Sequence, residues 1–217
     1  MTQQDTTPQS RVPASFRVIW QAFKIWYDDW FNLFVQNFLV TISWMTIILG
    51  PPMLFGLYEI GHELAHGRSH GASELLMAAK RHIWVSWLWA LINIVIVGVI
   101  AVNIVFYWQL GHSWAILLVS FFLFLGIFWA TIQIYVIPFY MAQEHKSLKI
   151  AFKNAALTFL AAPGYSLILF FYTLILLGSS FMLLLPLILA APALAIVTGN
   201  YAVRERLQAF GIASAEE

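Results

Sequence analysis

The sequence predicts an all-α fold: a polytopic membrane helix bundle with five to six transmembrane helices, arranged as three hairpins with interfacial amphipathic helices leading into them. Three observations predict it. Hydrophobic residues fill 61% of the 217 positions and charged residues only 10%, whereas an average soluble domain carries about 25% charged residues. Uncharged runs extend over 30–58, 83–143 and 154–203, and a spanning helix needs about 20 apolar residues, so the second and third runs can each hold two. The eleven Lys and Arg residues gather between the runs, which the positive-inside rule reads as one membrane face.

The elements follow in order. Residues 1–13 are polar and contain proline, as a disordered tail would. Over 14–30, Phe16, Ile19, Trp20, Phe23, Trp26, Tyr27 and Trp30 recur at three- and four-residue spacing, opposite Arg17, Gln21, Lys24 and Asp28. That pattern is an amphipathic helix suited to the membrane interface. A first span covers 31–48, and Leu49-Gly50-Pro51-Pro52 reads as a turn. The return limb, 53–67, is short or re-entrant, because only eight residues, 51–58, lie between Gly50 and the charge of Glu59. Either one kinked helix gives five crossings, or the limb continues through Glu59, Gly61, His62 and Glu63 to give six. Charge counting favours six, with both termini cytoplasmic.

Further spans are expected at 83–108 and 114–142, joined by the turn Leu110-Gly111-His112-Ser113, and at 157–177 and 181–203, joined by the turn Leu177-Gly178-Ser179-Ser180. Residues 208–217 form a C-terminal tail. An Ala-x-Lys step precedes each hairpin, at Ala22-Phe23-Lys24, Ala78-Ala79-Lys80 and Ala151-Phe152-Lys153. Its recurrence suggests a triplicated unit.

Composition also excludes. A net charge of +1 provides no basic field for nucleic acid, so the lipid bilayer is the expected partner, with other transport subunits or further copies of the chain beside it. With no cysteine there are no disulfides, thiolate catalysis or thiolate metal sites.

One stretch carries a catalytic pattern, His62-Glu63-Leu64-Ala65-His66, followed by His70. On a helix, imidazoles at i and i+4 share a face and can hold Zn²⁺ while the glutamate polarises water. A third ligand is needed, yet every Asp lies upstream, at Asp5, Asp28 and Asp29. The alternative is a polar helix end, which Gly67, Arg68 and Ser69 support. That second reading is taken: no catalytic residue and no cofactor are expected, with Glu63 as catalyst and His62, His66 and His70 as zinc ligands the lesser option. A candidate polar cavity is made of Asn37, Asn93, Asn103, Gln133 and Asn200; amides of this kind in spans are more often interhelical glue.

Between Trp30-Phe31-Asn32-Leu33, the run Gly50-Pro51-Pro52-Met53-Leu54-Phe55-Gly56-Leu57-Tyr58, Gly67, and Ser73-Glu74-Leu75-Leu76-Met77-Ala78-Ala79-Lys80, the order of features resembles the YesL-like family of bacterial integral membrane proteins. Tyr135-Val136-Ile137-Pro138-Phe139 and Lys149-Ile150-Ala151-Phe152-Lys153-Asn154-Ala155 extend the likeness. The chain departs from the family at Ile48-Leu49, where the family has Thr before Gly-Pro, and at His66, where it has a basic residue. The resemblance implies a bacterial inner (plasma) membrane protein, non-enzymatic, serving as an accessory or scaffold for solute transport, carbohydrate in particular. A small transporter or channel and an intramembrane metalloprotease are the alternatives.

Overall fold

The computed structural model describes residues 14–68, 71–183 and 190–211, and every regular element among them is a helix. These are α1 (Ala14–Asp28), α2 (Trp30–Met45), α3 (Gly50–Ala65), α4 (Ala72–Arg81), α5 (Ile83–Gln109), α6 (Ala115–Ala142), α7 (Leu148–Ala161), α8 (Pro163–Leu183) and α9 (Ala191–Ala209). The expected tails at 1–13 and 208–217, His70, and part of the last expected span fall wholly or partly outside the described residues.

Two helices are long and apolar enough to cross a membrane, α5 with 27 residues and α6 with 28. At about 1.5 Å per residue each exceeds the roughly 30 Å of a hydrocarbon core. A third candidate is the pair α7 and α8, which is bent by 109° at its break. The bend has a local cause: Pro163 opens α8 and offers no N–H to continue α7, and the residue before a proline is driven out of helical geometry. Ala162 takes φ −146 and ψ 69.

Two expected turns are corrected. The first lies at 46–49, before the Gly-Pro-Pro triplet, and Pro51 and Pro52 occupy the first turn of α3, where a missing N–H costs nothing. The tetrapeptide from Leu177 to Ser180 is no turn at all, since α8 runs through it to Leu183. The span expected at 157–177 straddles the bend at Ala162. The middle turn is found, with Gly111 at φ 65, a left-handed conformation glycine adopts without steric cost.

The three helices α3, α6 and α9 pack on one another. Small residues let them approach. A Cβ on Gly199 of α9 would stand 2.9 Å from the carbonyl oxygen of Ile134 in α6, and one on Gly61 of α3 would stand 2.9 Å from Ile196 Cγ2 in α9. Around them, α4 lies on α3, α7 on α6 and α1 on α9. Ala22, Ala78 and Ala151 are each buried in those contacts, and the lysine two residues later, Lys24, Lys80 or Lys153, is exposed. The core gathers Tyr135, Val136 and Ile137 of α6 with Phe55 of α3, Ala151 and Ala155 of α7, Ala202 of α9 and Val18 of α1.

On α1 the buried side is narrow, made of Ser15, Val18 and Ala22. The rings of Trp20, Phe23 and Tyr27 stack along its outer side at centroid separations of 6.1 and 6.4 Å. Arg17 bonds Glu205 of α9 at 2.8 Å and Tyr165 of α8 donates to the same carboxylate at 3.0 Å, so the N-terminal helix is fastened to the C-terminal one.

Depth differs between the helix pairs. Glu59 of α3 meets Arg81 and His82, so it lies level with the start of α5. From there α3 runs back nine residues to Gly50, at most about 14 Å, while α5 extends about 40 Å.

Candidate functional site

The C-terminal half of α3 carries Glu59, His62 and Glu63, with His66 as its C-cap, spaced so that they share one side of the helix. The helix stops where it does because Gly67, at φ 77, turns the chain. Its N–H bonds Leu64 O at 3.0 Å and the N–H of Arg68 bonds Glu63 O at 3.0 Å, a Schellman closure. The polar groups therefore sit on a terminus facing α4, the start of α5 and the end of α6.

A cavity of about 380 Å³ is lined by Glu59, His62, Glu63, Arg81, His82, Met141 and Lys146. Glu59 accepts from Arg81 Nη2 at 2.5 Å and from His82 Nε2 at 2.8 Å. The His82 hydrogen bond, with the Arg81 charge, holds the Glu59 carboxyl below its ordinary value against the opposing effect of burial. Lys146, in the connection after α6, donates to Met141 O at 2.5 Å. Partial burial pushes its ammonium down, and Glu59 and Glu63 pull it back. Burial pushes the His62 imidazole down to about 4, so it is neutral at physiological pH and offers one donor and one acceptor.

Glu59, Glu63 and Arg81 also belong to an adjoining cavity of about 270 Å³ whose further walls include Glu74, Met77 and Ala78 of α4. A third cavity, about 190 Å³, lies between the ends of α3, α6 and α9 against His62, His66, Ala142, Asn200 and Arg204. There Arg204 donates to the Ala65 carbonyl.

Two members of the zinc pattern, the lesser option, have other partners. His66 is the C-cap residue of α3, and its Nδ1–H donates to the His62 carbonyl at 2.8 Å. Glu63 pairs with Arg68 at 2.5 Å. The two imidazoles stand 4.5 Å apart, tilted by 56°. Among the described residues no three His, Asp or Glu side chains converge on a point that could hold a metal, and His70 lies outside them.

The five amides expected in one polar cavity are dispersed. Asn93 of α5 and Gln133 of α6 belong to a reciprocal clamp: Trp89 Nε1 donates to Gln133 Oε1 and Trp129 Nε1 to Asn93 Oδ1, both at 3.0 Å. Asn37 is buried in α2. Asn103 lies ten residues beyond Asn93 on α5 and donates to Val99 O. Asn200 donates to Ile196 O at 3.0 Å and reaches Tyr58 O at 3.4 Å, bracing α9 against α3. Of the five, Gln133 alone lines a cavity of about 290 Å³ between α3, α5, α6 and α8, and Asn200 alone lines the cavity at the helix ends.

Sequence reasoning missed Glu59, Arg81, His82 and Lys146 as site residues. The available signal was charge placement: a carboxylate at the end of one apolar run and cations bounding the next are drawn together when those runs pack as neighbours.

Among the described residues every regular element is a helix, two or three of them long and apolar enough to cross a membrane, as a membrane protein would have, and a charged pocket lies where the start of α5 meets the end of α6. Compared with known proteins, the chain matches no family model, no curated protein and no solved structure.

Proposed function

We propose that this chain is a non-enzymatic accessory or scaffold subunit of a solute-transport system, with carbohydrate the solute class that the YesL-like resemblance suggests. In this reading the three helical pairs α2–α3, α5–α6 and α8–α9 sit in a bacterial inner membrane with both termini cytoplasmic. The first pair is re-entrant: about 14 Å of α3 beyond Glu59 is too short to traverse a core of about 30 Å. An even number of limbs keeps the termini on one side whether that pair crosses or returns.

One observation carries the functional reading. The central helices approach closely at Gly61 and Gly199, where an added Cβ would stand 2.9 Å from the facing helix, and the charged groups collect at one end, which supports an anchored body with a polar face. A scaffold needs both. In proteoliposomes holding the purified protein alone, no solute flux is expected. In cells, its deletion is expected to lower uptake through a co-expressed permease, and restored uptake is expected to require the intact pocket residues. Flux from the protein alone would overturn the reading.

The cavity beside Gln133 favours a second reading, a small transporter, which predicts flux abolished by Gln133→Leu. The metalloprotease reading would require stoichiometric zinc lost on His62→Ala and proteolysis lost on Glu63→Gln.

A further inference from the structure

The two adjoining cavities at the end of α3 differ in the sign of their far walls. One ends on Lys146, His62 and His82, the other on Glu74, and Glu59, Glu63 and Arg81 form the wall they share. Their level is fixed by the two longest helices. Arg81 and His82 immediately precede α5, and Lys146 follows the end of α6 by four residues. The cavities thus stand at the ends of both candidate spans, the level of lipid headgroups when α5 and α6 cross a bilayer.

We propose that this double cavity is a binding site for a zwitterionic headgroup bearing a phosphate and a primary ammonium, as phosphatidylethanolamine does. The proposal deepens the accessory reading by giving its polar face a ligand. The phosphate meets the Lys146 ammonium and the His62 N–H at one end, where charge-assisted hydrogen bonds to phosphate are strongest. The ammonium meets, at the other, the carboxylates of Glu63, which it shares with Arg68, and of Glu74, whose Oε2 also accepts from the Gly71 N–H. The two cavities together are lined by three carboxylates, Glu59, Glu63 and Glu74, and two cations, Arg81 and Lys146, so a zwitterion spanning them adds no net charge, whereas an anionic lipid adds negative charge beside carboxylates already in excess. A trimethylated ammonium is disfavoured for a different reason: it has no N–H to donate and is recognised by aromatic cages, and no Phe, Tyr or Trp is among the residues lining either cavity. Partial burial of Lys146 lowers its tendency to stay charged, and a phosphate oxygen in contact would restore it.

The test is lipid binding to the purified, delipidated protein, counted by native mass spectrometry with phosphatidylethanolamine, phosphatidylglycerol and phosphatidylcholine of identical acyl chains. One phosphatidylethanolamine is expected to bind about tenfold more tightly than either other lipid. Lys146→Gln is expected to weaken it about tenfold and Lys146→Arg to restore it, while Glu63→Gln weakens phosphatidylethanolamine and spares phosphatidylglycerol. Lys149→Gln, on the exposed face of α7, is expected to change nothing. Competition by soluble phosphoethanolamine would assign the site to the headgroup chemistry from either source, and resistance to it would assign the site to membrane lipid. Equal affinity for the three lipids, or binding indifferent to both Lys146→Gln and Glu63→Gln, would overturn the proposal. Matching thermal melts for Lys146→Gln and Lys146→Arg keep a folding defect from being mistaken for a binding defect. Because binding is measured without a permease, its failure leaves the accessory reading standing, and failure of the uptake experiment leaves the lipid site standing.

Discussion

At the scale of single residues, Glu59 and His62 set two separate acid limbs. Glu59 bridges α3 to the start of α5 through Arg81 and His82, with its side chain only 21% exposed. Glu59→Gln removes the charge from both bonds and is expected to cost about 1–3 kcal/mol at neutral pH, read as a lower melting temperature in detergent. The carboxyl is depressed in the fold, so its contribution is present above its ordinary value of 4.5 and is lost as the pH falls below it; wild type and variant should converge there. His62 acts in a higher window. The unfolded chain protonates it at 6.5, while burial delays protonation in the fold to about 4. The unfolded state therefore binds more protons between those values, and stability declines as the pH falls through them. His62→Gln is expected to flatten that decline without moving the Glu59 limb; an unchanged slope from 6.5 to 4 would refute the assignment.

At the scale of elements, helix approach is set by glycines that differ in what opposes them. Gly199 faces the backbone oxygen of Ile134, whereas Gly61 faces the side-chain ends of Ile196 and Asn200. A side chain can turn aside and a helix backbone cannot, so Gly199→Ala should cost about 1–3 kcal/mol and Gly61→Ala less, by melting temperature. The same scale shows how much the sequence could tell. The long helices α5 and α6 were legible because apolar length alone specifies them, and the middle turn because Gly111 interrupts it. The end of α8 was not, because Gly178 and Ser179 look like a turn in water, whereas glycine is tolerated inside helices of membrane-spanning character and α8 runs on through both. The charged pocket was illegible for another reason: Glu59, Arg81 and Lys146 are far apart in sequence, and only the packing of α3 beside α5 and α6 joins them. The depth of α2 and α3 is testable because the chain has no cysteine. Single cysteines replacing His112 and Glu144 should react with an impermeant maleimide from opposite sides of sealed vesicles. One replacing Ile48, at the apolar tip of the first pair, should react from neither. Labelling of that site together with the His112 site would mean that the pair crosses.

At the scale of the whole molecule, the packing forms a closed cycle. The helix α4 lies on α3, which precedes it, α7 lies on α6, and α1 lies on α9 at the far end of the chain. The first helices of the pairs follow the same order, with α5 beside α3, α8 beside α6 and α2 beside α9. The chain break between α9 and α1 thus falls at the place that the α3–α4 and α6–α7 connections hold along the rest of the chain. The Ala-x-Lys steps mark those junctions in the sequence, because each alanine is buried against the preceding unit and each lysine must reach water. A cycle of this kind predicts tolerance to relocating the break, provided that the new termini stay on the original membrane face. The terminal described helices are near each other, since Arg17 of α1 and Glu205 of α9 are in contact, and a flexible linker of about ten residues, reaching about 17 Å, is proposed to join them. A circular permutant opened between α3 and α4 should therefore insert, show the helical circular dichroism of the parent, and melt within a few degrees of it. Opening the chain at Gly111 instead puts new termini at the opposite end of α5 and α6, where charged ends must cross the bilayer, and that permutant should fail to accumulate in the membrane. If the first permutant also fails while the joined but unpermuted control folds, the junctions are not equivalent and the cycle is a consequence of chain order alone.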